Sequence, residues 1–101
     1  MSLDIAILAP DGAVLKEVNI GMEAHKDLIR AATRLALPLI GRLHDYYNDD
    51  VVYAVSELDA FEAEIRTIRQ EPDLDSEILG ALLLLVEDAR KLSATLVTLA
   101  D

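Results

Sequence analysis

The two histidines and 19 carboxylates of this chain are the side chains best suited to chemistry. His44 is followed by Asp45, with Asp49 and Asp50 close behind. Imidazole and carboxylate together can hold zinc or iron. On a helix, such ligands must stand three or four residues apart to share a face. At that spacing His25 has Gly21, Met22, Leu28 and Ile29, and His44 has Ile40, Gly41, Tyr47 and Asn48. None of these is a carboxylate or a histidine, and Asp45, next to His44, would point elsewhere. A structural or surface role is the stronger expectation for both histidines, and no metal or cofactor is assigned. Nucleophilic catalysis finds no support either. Cysteine is absent. Ser2, Ser56, Ser76 and Ser93 fall at a terminus, at apparent helix caps or near a helix end, none of them in a Gly-x-Ser-x-Gly elbow. Gly12, Gly21, Gly41 and Gly80 are scattered, so they form no phosphate loop. Carboxylates are so plentiful that no acid/base pair stands out, and no catalytic residue is assigned.

The balance of charge points instead to binding. Nine basic against 19 acidic side chains give a net charge of −10. Such a chain repels phosphate backbones and anionic lipid, which disfavours nucleic-acid and membrane-surface roles. Residues 51–75 carry 2 basic and 7 acidic groups, half of the excess. A solvated helix face is the commoner origin of such a run; a docking surface for a basic partner is the sharper one. Immediately before it, Arg42–Asp50 places two of the three tyrosines among three aspartates. Tyrosine is enriched at interfaces. The alternative, that one tyrosine packs inward while the aspartates cap and turn the chain, carries somewhat more weight. The candidate partner-binding set is Asp45, Tyr46, Tyr47, Asp49, Asp50, Glu57, Asp59, Glu62 and Glu64.

The elements that would position these residues follow from pattern. A length of 101 residues fits a single domain, 1–101, and 52% hydrophobic residues can fill a core. The absence of cysteine suits a reducing cytoplasm. No signal peptide is evident at the N-terminus. The longest uncharged runs, Ile78–Val86 and Leu92–Ala100, are nine residues each, against about 18 for a membrane span.

Leu3–Leu8 and Val14–Ile20 flank Pro10-Asp11-Gly12, a β-hairpin signal. Val14, Val18 and Ile20 would share one face of the second strand, with Glu17 and Asn19 on the other. A helix is predicted from Met22 to about Ala36, with Leu28, Ile29, Ala32, Leu35 and Ala36 on its apolar stripe. Pro38 would end it. Leu39, Ile40, Leu43 and Tyr47 suggest further helical turns, Asn48–Asp50 a loop, and Val51–Val55 a third strand. Ser56 resembles an N-cap, with Asp59 three residues on. The next helix, Glu57–Gln70, sets Leu58, Phe61, Ile65 and Ile68 inward, and Pro72 closes it.

Asp75 or Ser76 starts the last helix, with Ile78, Leu79, Leu82, Leu83, Val86 and Ala89 inward. Leu84 and Leu85 widen its apolar surface, so it is buried on two sides or part of an interface, burial being favoured. Thr95–Leu99 reads as a final strand or a continuation of that helix. The sum is an α+β fold: an N-terminal β-hairpin and small sheet packed against three to four helices.

Three stretches carry a family resemblance. They are Asp4-Ile5-Ala6-Ile7-Leu8 with Asp11-Gly12; Val18-Asn19-Ile20-Gly21-Met22-Glu23-Ala24-His25; and Leu37-Pro38-Leu39-Ile40-Gly41-Arg42-Leu43-His44-Asp45-Tyr46-Tyr47 followed by Ser56-Glu57-Leu58. Over roughly the first 70 residues the chain resembles small bacterial immunity proteins of contact-dependent inhibition and related polymorphic toxin systems. The resemblance implies a cytoplasmic, non-enzymatic protein that binds the C-terminal domain of a cognate toxin and occludes its active site. Many such toxins are nucleases with basic grooves, which an acidic protein can occupy in place of phosphate. Two alternatives stay open: an adaptor or homo-oligomer joined through the Leu-rich helix, and, less favoured, a small metal-dependent enzyme.

Overall fold

The computed structural model describes residues 2–45, 50–72 and 74–99, with the backbone alone at Ser2 and Asp45. Among these, β1 (Ser2–Leu8) and β2 (Val14–Gly21) form the hairpin. Its turn is built as its residue types require. Asp11 Oδ1 accepts the Ala13 N–H at 3.0 Å, and Gly12 takes φ 88°, a value glycine adopts without strain. The last strand, β4 (Leu96–Leu99), runs antiparallel beside β1, and the two-residue β3 (Val52–Tyr53) pairs on its far side. The four-stranded order is β2-β1-β4-β3. Thr95–Leu99 is therefore strand and not helix from Leu96 on. The third strand is shorter than Val51–Val55, because Val55 already belongs to a 3-10 turn, Val55–Glu57.

Alternation divides the sheet. Leu3, Ile5 and Ile7 of β1 are fully buried, as are Ile20, Tyr53 and Leu96. A register shift between Ile7 and Leu8 pairs Leu8 with Val14. That irregularity puts Val14 with Leu8, on the side away from Val18 and Ile20, so the three valine and isoleucine positions do not share a face. Such a bulge breaks the period of two on which the expectation rested.

Helix α1 (Met22–Leu35) buries His25, Leu28, Ala31 and Ala32. Leu35 and Ala36, expected inward, are exposed. The helix stops before Pro38 acts on it. Ala36 adopts a left-handed φ of 56°, and Leu37 N–H returns to Ala32 O at 2.9 Å. A short α2 (Pro38–Gly41) and a 3-10 turn (Arg42–Asp45) follow; Tyr47 lies outside the described residues. Helix α3 (Leu58–Ile68) buries Leu58, Phe61, Ile65 and Ile68, as the stripe predicts. Its entry is not capped by Ser56. Glu57 reaches back to accept the Ala54 N–H at 3.0 Å, leaving Ser56 exposed within the 3-10 turn.

Helix α4 (Ser76–Leu92) begins at Asp75, whose Oδ1 accepts from Glu77 N–H and Ile78 N–H at 2.9 and 3.2 Å. Leu79, Leu82, Leu83, Leu85, Val86 and Ala89 are buried and Ile78 half-buried, while Leu84 stands 63% exposed. Leu85 thus joins the core, as two-sided packing against α3 and the sheet requires. At the centre, the Tyr53 and Phe61 rings stack 4.1 Å apart at 13°, and Tyr53 Oη donates to Leu39 O at 2.6 Å. Burial pushes the Tyr53 phenol well above its ordinary pKa, so it stays a donor. The architecture is α+β, as expected, with the hairpin at its N-terminus. No helix among the described residues is long and apolar enough to cross a membrane.

Candidate interaction surfaces

The acidic residues singled out on α3 are mostly engaged by the fold itself. Glu64 turns back to α2, accepting Leu39 N–H at 3.0 Å and Ile40 N–H at 2.9 Å. It caps a helix that has no side-chain cap of its own. Glu57 binds Arg42 in a two-pronged pair at 3.2 and 2.5 Å, in addition to the Ala54 N–H. Arg42 first, and then that backbone donor, hold the Glu57 carboxyl below the usual carboxylate range, and Glu57 in turn raises the Arg42 guanidinium. Glu62, only 14% exposed, meets Arg90 at 2.5 Å and Arg66 at 3.4 Å. Arg66 also meets Glu87 at 3.4 Å, and Arg90 Nε meets Asp59 at 2.9 Å. These contacts tie α3 to α4 through alternating signs. Asp59 is 82% exposed and Asp50 is exposed, so these two still present acid to solvent. Tyr46, Tyr47 and Asp49 lie outside the described residues, as does the Asp45 side chain.

The histidines, far apart in sequence, come to one place. His25 is buried, and its Nε2 donates to Leu43 O at 2.8 Å, tying α1 to the 3-10 turn. His44 is exposed on that turn. Both line a cleft of about 390 Å³ with Met22, Lys26, Ile29 and Arg30. Testing each histidine against its own helical neighbours could not find this, because the two belong to different elements. Among the described residues no group of three His, Cys, Asp or Glu could hold a metal ion.

The outward face of the sheet was not singled out from sequence. Directly paired residues of antiparallel strands share a face. Asp4 stands between Asn19 and Leu99, Ala6 between Glu17 and Val97, Val52 beyond Val97, and Leu8 beside Val14. Ala6 is fully buried, while the other apolar members of this set lie outside the core cluster. Val52 and Val14 are each 49% exposed, and Leu8, Val97 and Leu99 are half-buried. Asp4 and Glu17 lie on this face, with Asp50 two residues before Val52 at its edge. No Lys or Arg occupies its paired positions; Lys16, facing the other way, is bound to Asp88 of α4. This face therefore sets exposed apolar residues beside acid. The signal in the sequence was the alternation of Asp4-Ile5-Ala6-Ile7-Leu8 and of Glu17-Val18-Asn19-Ile20, read only for its inward half.

No family model, curated protein or solved structure matches this chain.

Proposed function

We propose that this protein is a non-enzymatic inhibitor that binds a basic protein partner, and that the partner is the C-terminal domain of a bacterial toxin met in the cytoplasm. The observation that carries the binding mode is the outward sheet face: valine and leucine flanked by Asp4, Glu17 and Asp50, with no cation at its paired positions. The toxin as partner rests on the resemblance of roughly the first 70 residues to immunity proteins. Docking of a basic toxin groove on this face desolvates the apolar centre, while the acids around it take the place of substrate phosphate. Charge also steers the encounter, so the association rate falls as salt rises.

The test is binding and growth rescue against the toxin domain encoded beside this protein's gene. Glu17→Lys combined with Val52→Lys, which puts a cation at each edge of the face, should weaken binding by about 100-fold. Asp59→Lys, on the α3–α4 face, should change it by less than about threefold. A wild-type protein that neither binds nor rescues growth ends the immunity reading. Rescue that survives the sheet-face variant but fails with Asp59→Lys keeps that reading and moves the surface to α3.

A further inference from the structure

We infer that the cleft between α1 and the Arg42–Asp45 turn is a binding site for a small organic monoanion with an apolar body, such as an aromatic carboxylate. Its walls are Met22, His25, Lys26, Ile29, Arg30 and His44. On a chain of net charge −10, the described residues that line this concavity hold two cations, two imidazoles and no carboxylate. Lys26 makes no ion pair among the described residues. Arg30 makes one contact, with Asp27 at 3.5 Å through Nη1 alone and with both side chains well exposed, which leaves other guanidinium donors for a second carboxylate. Lys26 and Arg30 stand four apart, with Met22 four residues before Lys26 and Ile29 three after it, so one face of α1 offers an ammonium, a guanidinium and apolar contact together.

Size and field narrow the class. A volume of about 390 Å³ is at the low end of small-molecule sites, which run from roughly 300 to 1,000 Å³. Met22 and Ile29 supply contact for a hydrocarbon or ring, and Lys26 and Arg30 for one anionic head. A polyanion such as a nucleotide would gain little more here and would meet repulsion from the rest of the molecule. The cleft is made by α1 and the 3-10 turn, apart from the sheet face, so it is independent of the partner reading.

The experiment is a titration of the full chain with hydrocinnamate, with hydrocinnamyl alcohol and inorganic phosphate as separate arms, followed by methyl NMR at Met22 and Ile29. Hydrocinnamate should give saturable shifts, and each of the other two should bind about tenfold more weakly or not at all. Lys26→Gln with Arg30→Gln should weaken hydrocinnamate by about tenfold with the melting temperature kept, since both side chains are exposed. Equal binding of the alcohol, phosphate binding as tight as hydrocinnamate, or no saturable shift up to about 10 mM ligand each overturns the inference.

Discussion

The α3–α4 face and the outward face of the sheet both carry acid, and they use it differently. On the helices, Glu57, Glu62 and Glu64 close ion pairs and cap a helix end, and their partners Arg42 and Arg90 come from outside the acidic stretch of sequence. On the sheet, Asp4, which accepts a hydrogen bond from Asn19, and Glu17 sit beside Leu8, Val52, Val97 and Leu99, with no cation at the paired positions. The first face pairs its acid with arginines although its sequence is the most acidic; the second is acidic although no window of sequence marks it. The helical carboxylates meet arginines, whereas the sheet carboxylates face no cation at their paired positions.

The largest expected effect concerns what α3 is for. If its role is to build the core, Phe61→Ala should lose about 3–5 kcal/mol, because a fully buried ring stacked on Tyr53 leaves a cavity. Urea denaturation measures this. A loss below about 1 kcal/mol would mean that α3 is not anchored by its apolar stripe, and the contrast with the sheet face would lose its footing.

Much of the fold was legible because periodicity reports burial. The inward positions of α3 hold as the stripe predicts, Asp75 caps α4 as its residue type suggests, and the hairpin follows from Pro10-Asp11-Gly12. The misses have specific causes. Val14 left its expected face because a one-residue register shift reverses side-chain direction. Leu35 lies on the stripe of Leu28, Ala31 and Ala32 but is the last residue of α1, where the left-handed Ala36 turns the chain, and it is exposed there. Ser56 has no capping role because it lies inside the 3-10 turn, whose own entry is capped by Glu57 reaching back to the Ala54 N–H. The candidate site was least legible. Summing charge over residues 51–75 cannot register an arginine that folds in from position 42 or 90. The histidine cleft and the sheet face both join residues that only tertiary structure brings together.

A smaller effect should follow from Glu64→Ala. It removes the acceptor for two N–H groups at the start of α2 and should reduce stability by about 1–2 kcal/mol, as for a lost N-cap. Partner affinity should stay within about twofold of wild type. Unchanged stability with weakened binding would return Glu64 to the docking surface and break the division between the two faces.

The smallest effect, and the most discriminating, is the pH dependence of Glu57→Gln. Arg42, and after it the Ala54 N–H, holds the folded-state Glu57 carboxyl below its ordinary pKa. A depressed carboxylate stabilises the fold fully above the unfolded-state pKa of about 4.3, and that contribution disappears as pH falls through the lower folded value. Wild type should therefore melt above Glu57→Gln at neutral pH, with the gap narrowing below about pH 4.3 and closing as pH falls through the lower folded-state value. Glutamine keeps an oxygen for the Ala54 N–H, so the difference isolates the charge. Asp88, lowered in the same way by Lys16, titrates in both proteins and cancels from the comparison. A gap of constant size from about pH 7 to pH 2 would show that Glu57 acts by shape and not by charge. No gap at any pH, together with weaker partner binding at neutral pH, would place Glu57 among the carboxylates left open to a partner, and the α3–α4 face would then share the work assigned to the sheet.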